Sequence, residues 1–280
     1  MKVLQIAVAL AAFWAASVAY GDAFEDLKKK AATLRRQGDD VAALEAFMEA
    51  AAVAPDDVAT SEILEQAAYC ALRQRHKNAA MREKAMELAK RIPLKPVSVK
   101  CRMVLLKEDY KYGDLIETFK DEDIAAWENK RLAAEALSLR ASAYTAVRKG
   151  QEAKTDMAMA VECAPANPKY RLGLARIYRS HLNDDERALA LYRGILAEAE
   201  PATVDDEPYL TAALETAAIL RDHARYDEAL DVLDPIKDMT ALNSFEKIRA
   251  LRAFGEIYAV LGREDEAVAA FDKANELQGR

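Results

Sequence analysis

Reactive and structure-breaking residues are scarce in this sequence: its 280 residues include only 3 Cys, 3 His, 2 Trp, 9 Gly and 8 Pro. The histidines, His76, His181 and His223, are far apart, and none has a His or Cys at metal-ligand spacing. This excludes the HExxH and zinc-finger arrangements, and no metal site is expected. There is no phosphate-cradling P-loop, no G-x-G-x-x-G and no G-x-S-x-G, so nothing marks a nucleotide site or a serine nucleophile. Acidic clusters occur at Asp184-Asp185-Glu186 and Asp205-Asp206-Glu207, but they lack the alternating ligands and central glycine of a calcium loop. Acids at helix N-termini, where they oppose the backbone dipole, account for them equally well. The shortage of Gly and Pro excludes collagen-like and low-complexity chains. Basic charge is also the minority, with 40 Lys+Arg against 47 Asp+Glu and a net charge of −7. A general nucleic-acid binder needs a basic face to displace counterions, so that class is not expected. What is abundant is apolar: 52% of residues, enough to build a core without disulfide or metal staples.

The one long apolar run lies at the start. Residues 1–21 read MKVLQIAVALAAFWAASVAYG, with Lys2 as the only charge and small residues at Ser17, Ala19 and Gly21. A basic start, a short apolar stretch and small residues at cleavage frames are the form of a secretory signal peptide, cut after Ala19 or Gly21. Residues 1–21 are therefore expected to be removed, leaving 22–280 as an exported, soluble chain, periplasmic or secreted. No later segment is long and apolar enough for a bilayer span.

The rest of the sequence repeats one pattern. Five Ala-rich segments carry a small residue, a large one four further on, and a small or aliphatic one three beyond that. These sets are Ala43/Phe47/Ala50, Ala153/Met157/Ala160, Ala188/Tyr192/Ile195, Ala229/Leu233/Ile236 and Ala267/Phe271/Ala274. Spacings of four and three place each set on one helix face. Upstream of each lies a second small/large pair: Ala31/Leu34, Ala141/Tyr144, Ala175/Tyr178, Ala217/Leu220 and Gly255/Tyr258. The interval between the two small residues is 12, 12, 13, 12 and 12. Antiparallel helices approach closely only where one offers a small side chain to the other's bulk. Gly38, Gly150 and Gly262 fall between paired helices, where a permissive backbone is needed, and Pro55, Pro165 and Pro201 follow second helices and stop them. Residues 58–93 and 94–133 read as two further pairs, 61–75 with 78–91 and 97–107 with 113–127, in a blurred register. Pro93 and Pro96 predict a bend or irregular stacking between them.

These residues resemble the tetratricopeptide repeat (TPR), a 34-residue helix-turn-helix unit. Leu251, Phe254-Gly255, Tyr258, Gly262, Ala267, Phe271 and Ala274 occupy the signature positions, and the first segment, from Leu27 to Pro55, is nearly as close. The resemblance implies an all-α fold: an α-solenoid, wound as a right-handed superhelix, of about seven antiparallel helix pairs over 22–280, weaker over 58–133. It implies that first helices line a concave face that holds a partner's peptide or helix. The positions that face inward in the family map here to Glu25, Lys28, Ala32 and Arg35 in the first unit and Glu135, Ser138, Ser142 and Thr145 in the fourth. The last three units place Lys169, Arg176, Arg179, Arg221, Arg249 and Arg252 inward, against Glu256. A curved groove with that imbalance attracts negative groups, and arginine grips carboxylates with paired hydrogen bonds. Arginines paired with nearby Asp or Glu on a solvated face are the competing reading. Chaperone-tail binding is not implied, because the family's Lys/Asn carboxylate-clamp set is not recognisable.

Cys70 and Cys101 fall in the first helices of successive pairs, which leaves two readings: a disulfide, or two buried free thiols. Cys163 reads as unpaired. Tyr144, Tyr178 and Tyr258 read as core. The expected function is a non-catalytic interaction scaffold, without cofactor, that holds a protein or peptide, in particular an acidic segment, in its groove. The alternative is a self-assembling envelope component, homo-oligomeric through an uncovered last repeat.

Overall fold

The computed structural model describes residues 21–75, 78–198, 207–236 and 244–279. The expected export segment, apart from Gly21, lies outside these residues, as do His76, Pro201 and Asp205-Asp206. Among the described residues the secondary structure is entirely helical. The helices are α1 (21–36), α2 (Asp40–Ala52), α3 (Asp57–Arg73), α4 (Ala80–Arg91), α5 (Lys95–Glu108), α6 (Tyr112–Phe119) and α7 (Lys130–Ala146). They continue with α8 (Gly150–Cys163), α9 (Pro168–Leu182), α10 (Asp185–Glu198), α11 (Glu207–Asp222), α12 (Tyr226–Leu233), α13 (Ser244–Val260) and α14 (Glu264–Gln278). Odd-numbered helices are the first members of seven pairs. No described helix is long and apolar enough to cross a membrane. The chain forms two compact units, 1–143 and 144–280.

The small-residue slots are where the sequence places them. Ala31, Ala43 and Ala50 in the first unit are fully buried, as are Ala175, Ala188, Ala229 and Ala274 in the second. Large partners such as Phe47, Tyr192 and Leu233 are buried beside them. At Gly255 a single added carbon would lie 2.7 Å from the Phe271 ring of α14, so α13 and α14 touch almost backbone to ring. In α3 and α4 the register differs, but small residues still line the contact: Ala67, Ala68, Ala71, Ala85 and Ala89 are all buried. Ser61 adds a polar tie by accepting the Leu94 N–H at 3.1 Å.

Polar residues set the helix starts. Asp39 accepts the Ala42 N–H at 3.0 Å, Asp56 the Ala59 N–H at 2.8 Å, and Asp184 the Arg187 N–H at 3.0 Å, each satisfying a donor that helix geometry leaves free. Pro96 sits in the first turn of α5, where its missing N–H costs nothing, so it starts a helix rather than bending one. Pro93 occupies the short link before it.

The turns within pairs share one device. At six of them a residue one or two positions past the end of the first helix adopts positive φ: Gly38, Tyr110, Arg148, Asn183, Ala224 and Gly262. At five of these turns the next N–H bonds back five residues, as in Asp39 to Leu34, Lys111 to Leu106 and Arg225 to Leu220, closing the helix C-terminus with a left-handed cap. The expectation for Gly150 needs correction. The left-handed residue of that turn is Arg148, whereas Gly150 opens α8, and a Cβ there would meet the His181 Cβ at 3.0 Å. Glycine at 150 thus eases the close approach of α8 to the end of α9 and does not serve backbone sign.

The helix expected over 113–127 is also shorter than expected. It ends at Phe119, and a 3-10 turn at Ile124–Ala126 follows. Arg140, 6% exposed, explains the stop: it donates to the Phe119 carbonyl at 2.7 Å and the Glu122 carbonyl at 3.1 Å, capping α6 from beneath.

Candidate functional site

In the second unit α11 packs against both α9 and α13, so three first helices lie side by side. Of the six predicted basic residues, Arg176 and Arg179 lie on α9, Arg221 on α11 and Arg249 and Arg252 on α13, while Lys169 is exposed near the start of α9. Arg221, Arg249 and Arg252 are brought together around a cleft of about 330 Å³ between α11 and α13. Leu214, Ala217 and Ala218 from α11 and Ala253 and Ile257 from α13 give it an apolar floor. Leu214, Ala217 and Ile257 are buried, and the alanines keep the floor low enough to admit another side chain. Glu215 and Glu256 complete the walls.

Two acids besides Glu256 stand against these arginines. Arg179 donates to Glu215 at 2.7 Å and to Asp222 at 3.1 Å. Arg221 pairs with Glu256 and also reaches Asp222 Oδ1 at 3.1 Å. A run of alternating charge thus crosses α9, α11 and α13, and the charge of Arg179 and Arg221 is answered within the chain. Among the described residues Arg252 donates to the neutral amide of Gln278, at 2.7 Å, and to no carboxylate. Arg249 and the exposed Arg176 have no carboxylate partner among the described residues. The uncompensated guanidinium charge at the cleft is therefore on α13. Below the run lies Tyr192, fully buried with an unpartnered hydroxyl. Burial and the nearby Glu215 carboxylate raise its pKa, so it stays neutral.

The matching face of the first unit is tied shut by its own residues. Lys28 bonds Glu62 at 3.0 Å, Arg35 reaches Gln66, and Lys100 bridges Glu65 at 2.6 Å and Glu135 at 3.6 Å. Tyr69 donates to Glu65 at 2.8 Å beside the fully buried Cys101. Burial raises the Tyr69 phenol and pushes the Cys101 thiol up to about 12 and the Cys70 thiol up to about 11. Both cysteines are free, so of the two readings the structure shows buried thiols. Cys163 is also free and half-buried.

The remaining residues singled out have ordinary roles. His223 bonds Asp185 at 3.0 Å on the surface, and His181 is exposed. Asp184 is a helix cap. No group of His, Cys, Asp or Glu among the described residues could hold a metal ion. Tyr178 and Tyr258 are half-buried and pack against the core of the second unit; the Arg187 guanidinium lies 5.6 Å from the first ring and the Arg263 guanidinium 4.4 Å from the second. Tyr144 is half-buried as well.

No protein-family model matches the sequence, and no curated protein matches it. Solved structures do match in fold. A tetratricopeptide repeat protein from Parabacteroides merdae ATCC 43184 superposes with a TM-score of 0.52 at 15% identity, covering 91% of this chain and 93% of its own. MamA of AMB-1 superposes at 0.50 with 18% identity over 65% of this chain and 98% of its own. BtubC (BKLC) from P. vanneervenii gives 0.50 at 14% identity, over 78% and 89%. The chain has the tetratricopeptide-repeat fold, an all-α solenoid of helix pairs.

Proposed function

We propose that the chain is a non-catalytic scaffold that binds an acidic segment of a partner protein along the first helices of its second unit. The observation that carries this reading is the cleft between α11 and α13, where an apolar floor lies beside Arg249 and Arg252, neither opposed by a carboxylate among the described residues. Arg176 extends the same charge on α9. Such a cleft offers apolar burial and charge-assisted hydrogen bonds to one ligand, a combination a solvated surface lacks. The corresponding face of the first unit, with its lysines and arginines already bonded, is the weaker candidate. We also propose export, with residues 1–21 removed, so that the partner is met in a periplasm or outside the cell.

The test is a pull-down from the native envelope fraction, with captured proteins identified and their binding segments mapped. Reversing Arg176 and Arg249 together to glutamate is expected to abolish capture of a partner that binds through an acidic segment. Unchanged capture would refute the groove. Export is checked separately by N-terminal sequencing of the native protein, which is expected to begin at Tyr20 or Asp22.

A further inference from the structure

Arg249, Arg252 and Glu256 recur at i, i+3 and i+7 along α13 and all line the cleft, forming a stripe about 10 Å long. Its first two members have no carboxylate partner among the described residues. Its third reaches across to Arg221 on α11. Glu256 is 51% exposed at its side chain, and Arg221 31%. An ion pair this accessible to water is weakly held and exchanges readily for another carboxylate. Glu256 therefore stands where an incoming acid would bond, and the cleft holds a carboxylate of its own.

From this arrangement we infer that Glu256 is a built-in competitor that sets the threshold for occupancy of the cleft, and that the ligand displacing it presents at least two side-chain carboxylates flanking an aliphatic residue. The first carboxylate bonds Arg249 and Arg252, and the aliphatic side chain covers Ala218 and Ala253. The second carboxylate takes Arg221 from Glu256. A chain terminus supplies only one carboxylate and leaves the Arg221 pair intact, so side-chain acids are the source. The inference rests on the acidic-segment reading above and adds how that site rejects single acids.

The experiment measures fluorescence anisotropy with the full chain and three labelled peptides, each acetylated at its N-terminus. The first carries two glutamates one helical turn apart around leucine and ends in an amide. The second replaces both glutamates with glutamine. The third also has glutamine but ends in a free carboxylate. The first peptide is expected to bind, and the other two at least tenfold more weakly. Glu256→Gln, isosteric at an exposed position, is expected to tighten the first peptide three- to tenfold and to leave the second unchanged. Arg249→Gln and Arg252→Gln are each expected to weaken it about tenfold, the loss of roughly one charge-assisted bond. Circular dichroism confirms that each variant is folded. If no acidic peptide binds the unmodified chain, the acidic-segment reading itself fails. If the first peptide binds and needs Arg249 but Glu256→Gln leaves its affinity unchanged or weaker, the competitor role is overturned while the acidic-segment reading stands. Stronger binding of the third peptide than the first would overturn the assignment to side-chain carboxylates.

Discussion

Gly194 and Gly255 both lie in the interiors of helices, and the same substitution is expected to act on them in opposite directions. Gly194 in α10 has nothing within 4 Å of the position a Cβ would take. Gly194→Ala therefore changes only backbone entropy and helix propensity, a gain of about 0.5–1 kcal/mol. Gly255 in α13 offers the same gain, but its new Cβ would stand 2.7, 2.8 and 3.0 Å from three carbons of the Phe271 ring. Relieving that overlap means moving the ring or separating α13 from α14, and overpacking of this kind costs about 1–3 kcal/mol. The net expectation for Gly255→Ala is a loss of up to about 2 kcal/mol. The assay is urea denaturation of both variants, combined with amide hydrogen exchange across α13 and α14, because helix-pair arrays can unfold unit by unit. Phe271→Leu in the Gly255→Ala background removes the clashing ring atoms and is expected to recover most of the loss in a double-mutant cycle. If Gly255→Ala stabilises the chain as much as Gly194→Ala, the close-approach account of the repeat is wrong.

The left-handed turn residues make a second set. Ala224→Gly is expected to stabilise by about 1 kcal/mol and Gly262→Ala to destabilise by a similar amount, read as shifts in denaturation midpoint, because only glycine takes positive φ without steric cost. Arg140→Met is expected to cost about 3 kcal/mol in the same assay, because it strips one buried and one half-buried carbonyl of a charged donor. Alkali is expected to destabilise the fold through the buried thiols. An unfolded cysteine ionises near pH 8.5, while Cys70 and Cys101 hold their protons to about 11 and about 12. The unfolded state thus binds fewer protons above pH 8.5, so the thiols' stabilising contribution is complete below that pH and is lost as pH rises toward 11–12. Denaturation midpoints measured from pH 8 to 11 should fall less steeply in Cys101→Ala than in the parent. A thiol reagent at pH 8 should label Cys163 well before the other two.

Much of the fold was readable because close helix packing has a sequence cost that recurs. The interval of about twelve residues between small side chains located Ala31 against Ala43 and Ala175 against Ala188, and all four are buried. Gly38 and Gly262 were readable as turn residues for a similar reason. Tyr110, Arg148 and Ala224 occupy the same left-handed position without a glycine to mark it, because the caps around them supply enough hydrogen bonding to hold a strained residue. The end of α6 was hidden because its cause, Arg140, lies twenty-one residues further along. At the candidate site the inward positions gave the arginines but not Glu215 and Asp222. A helix face is broader than one line of positions, so their side chains reach the same row from adjacent places. The division between answered and unanswered charge depends on cross-helix distances that no single repeat encodes.

If an acidic segment binds this chain, it lies in the α11–α13 cleft and not on another surface. Photo-crosslinking residues placed at Ala218, within the cleft, and at the exposed Ala197 on α10 distinguish the two. With the labelled two-glutamate peptide, adducts are expected at position 218 and not at 197, and they should vanish when Arg249 and Arg252 are both reversed to glutamate. Equal adducts at the two positions, or adducts at 218 that survive the reversal, would contradict the account.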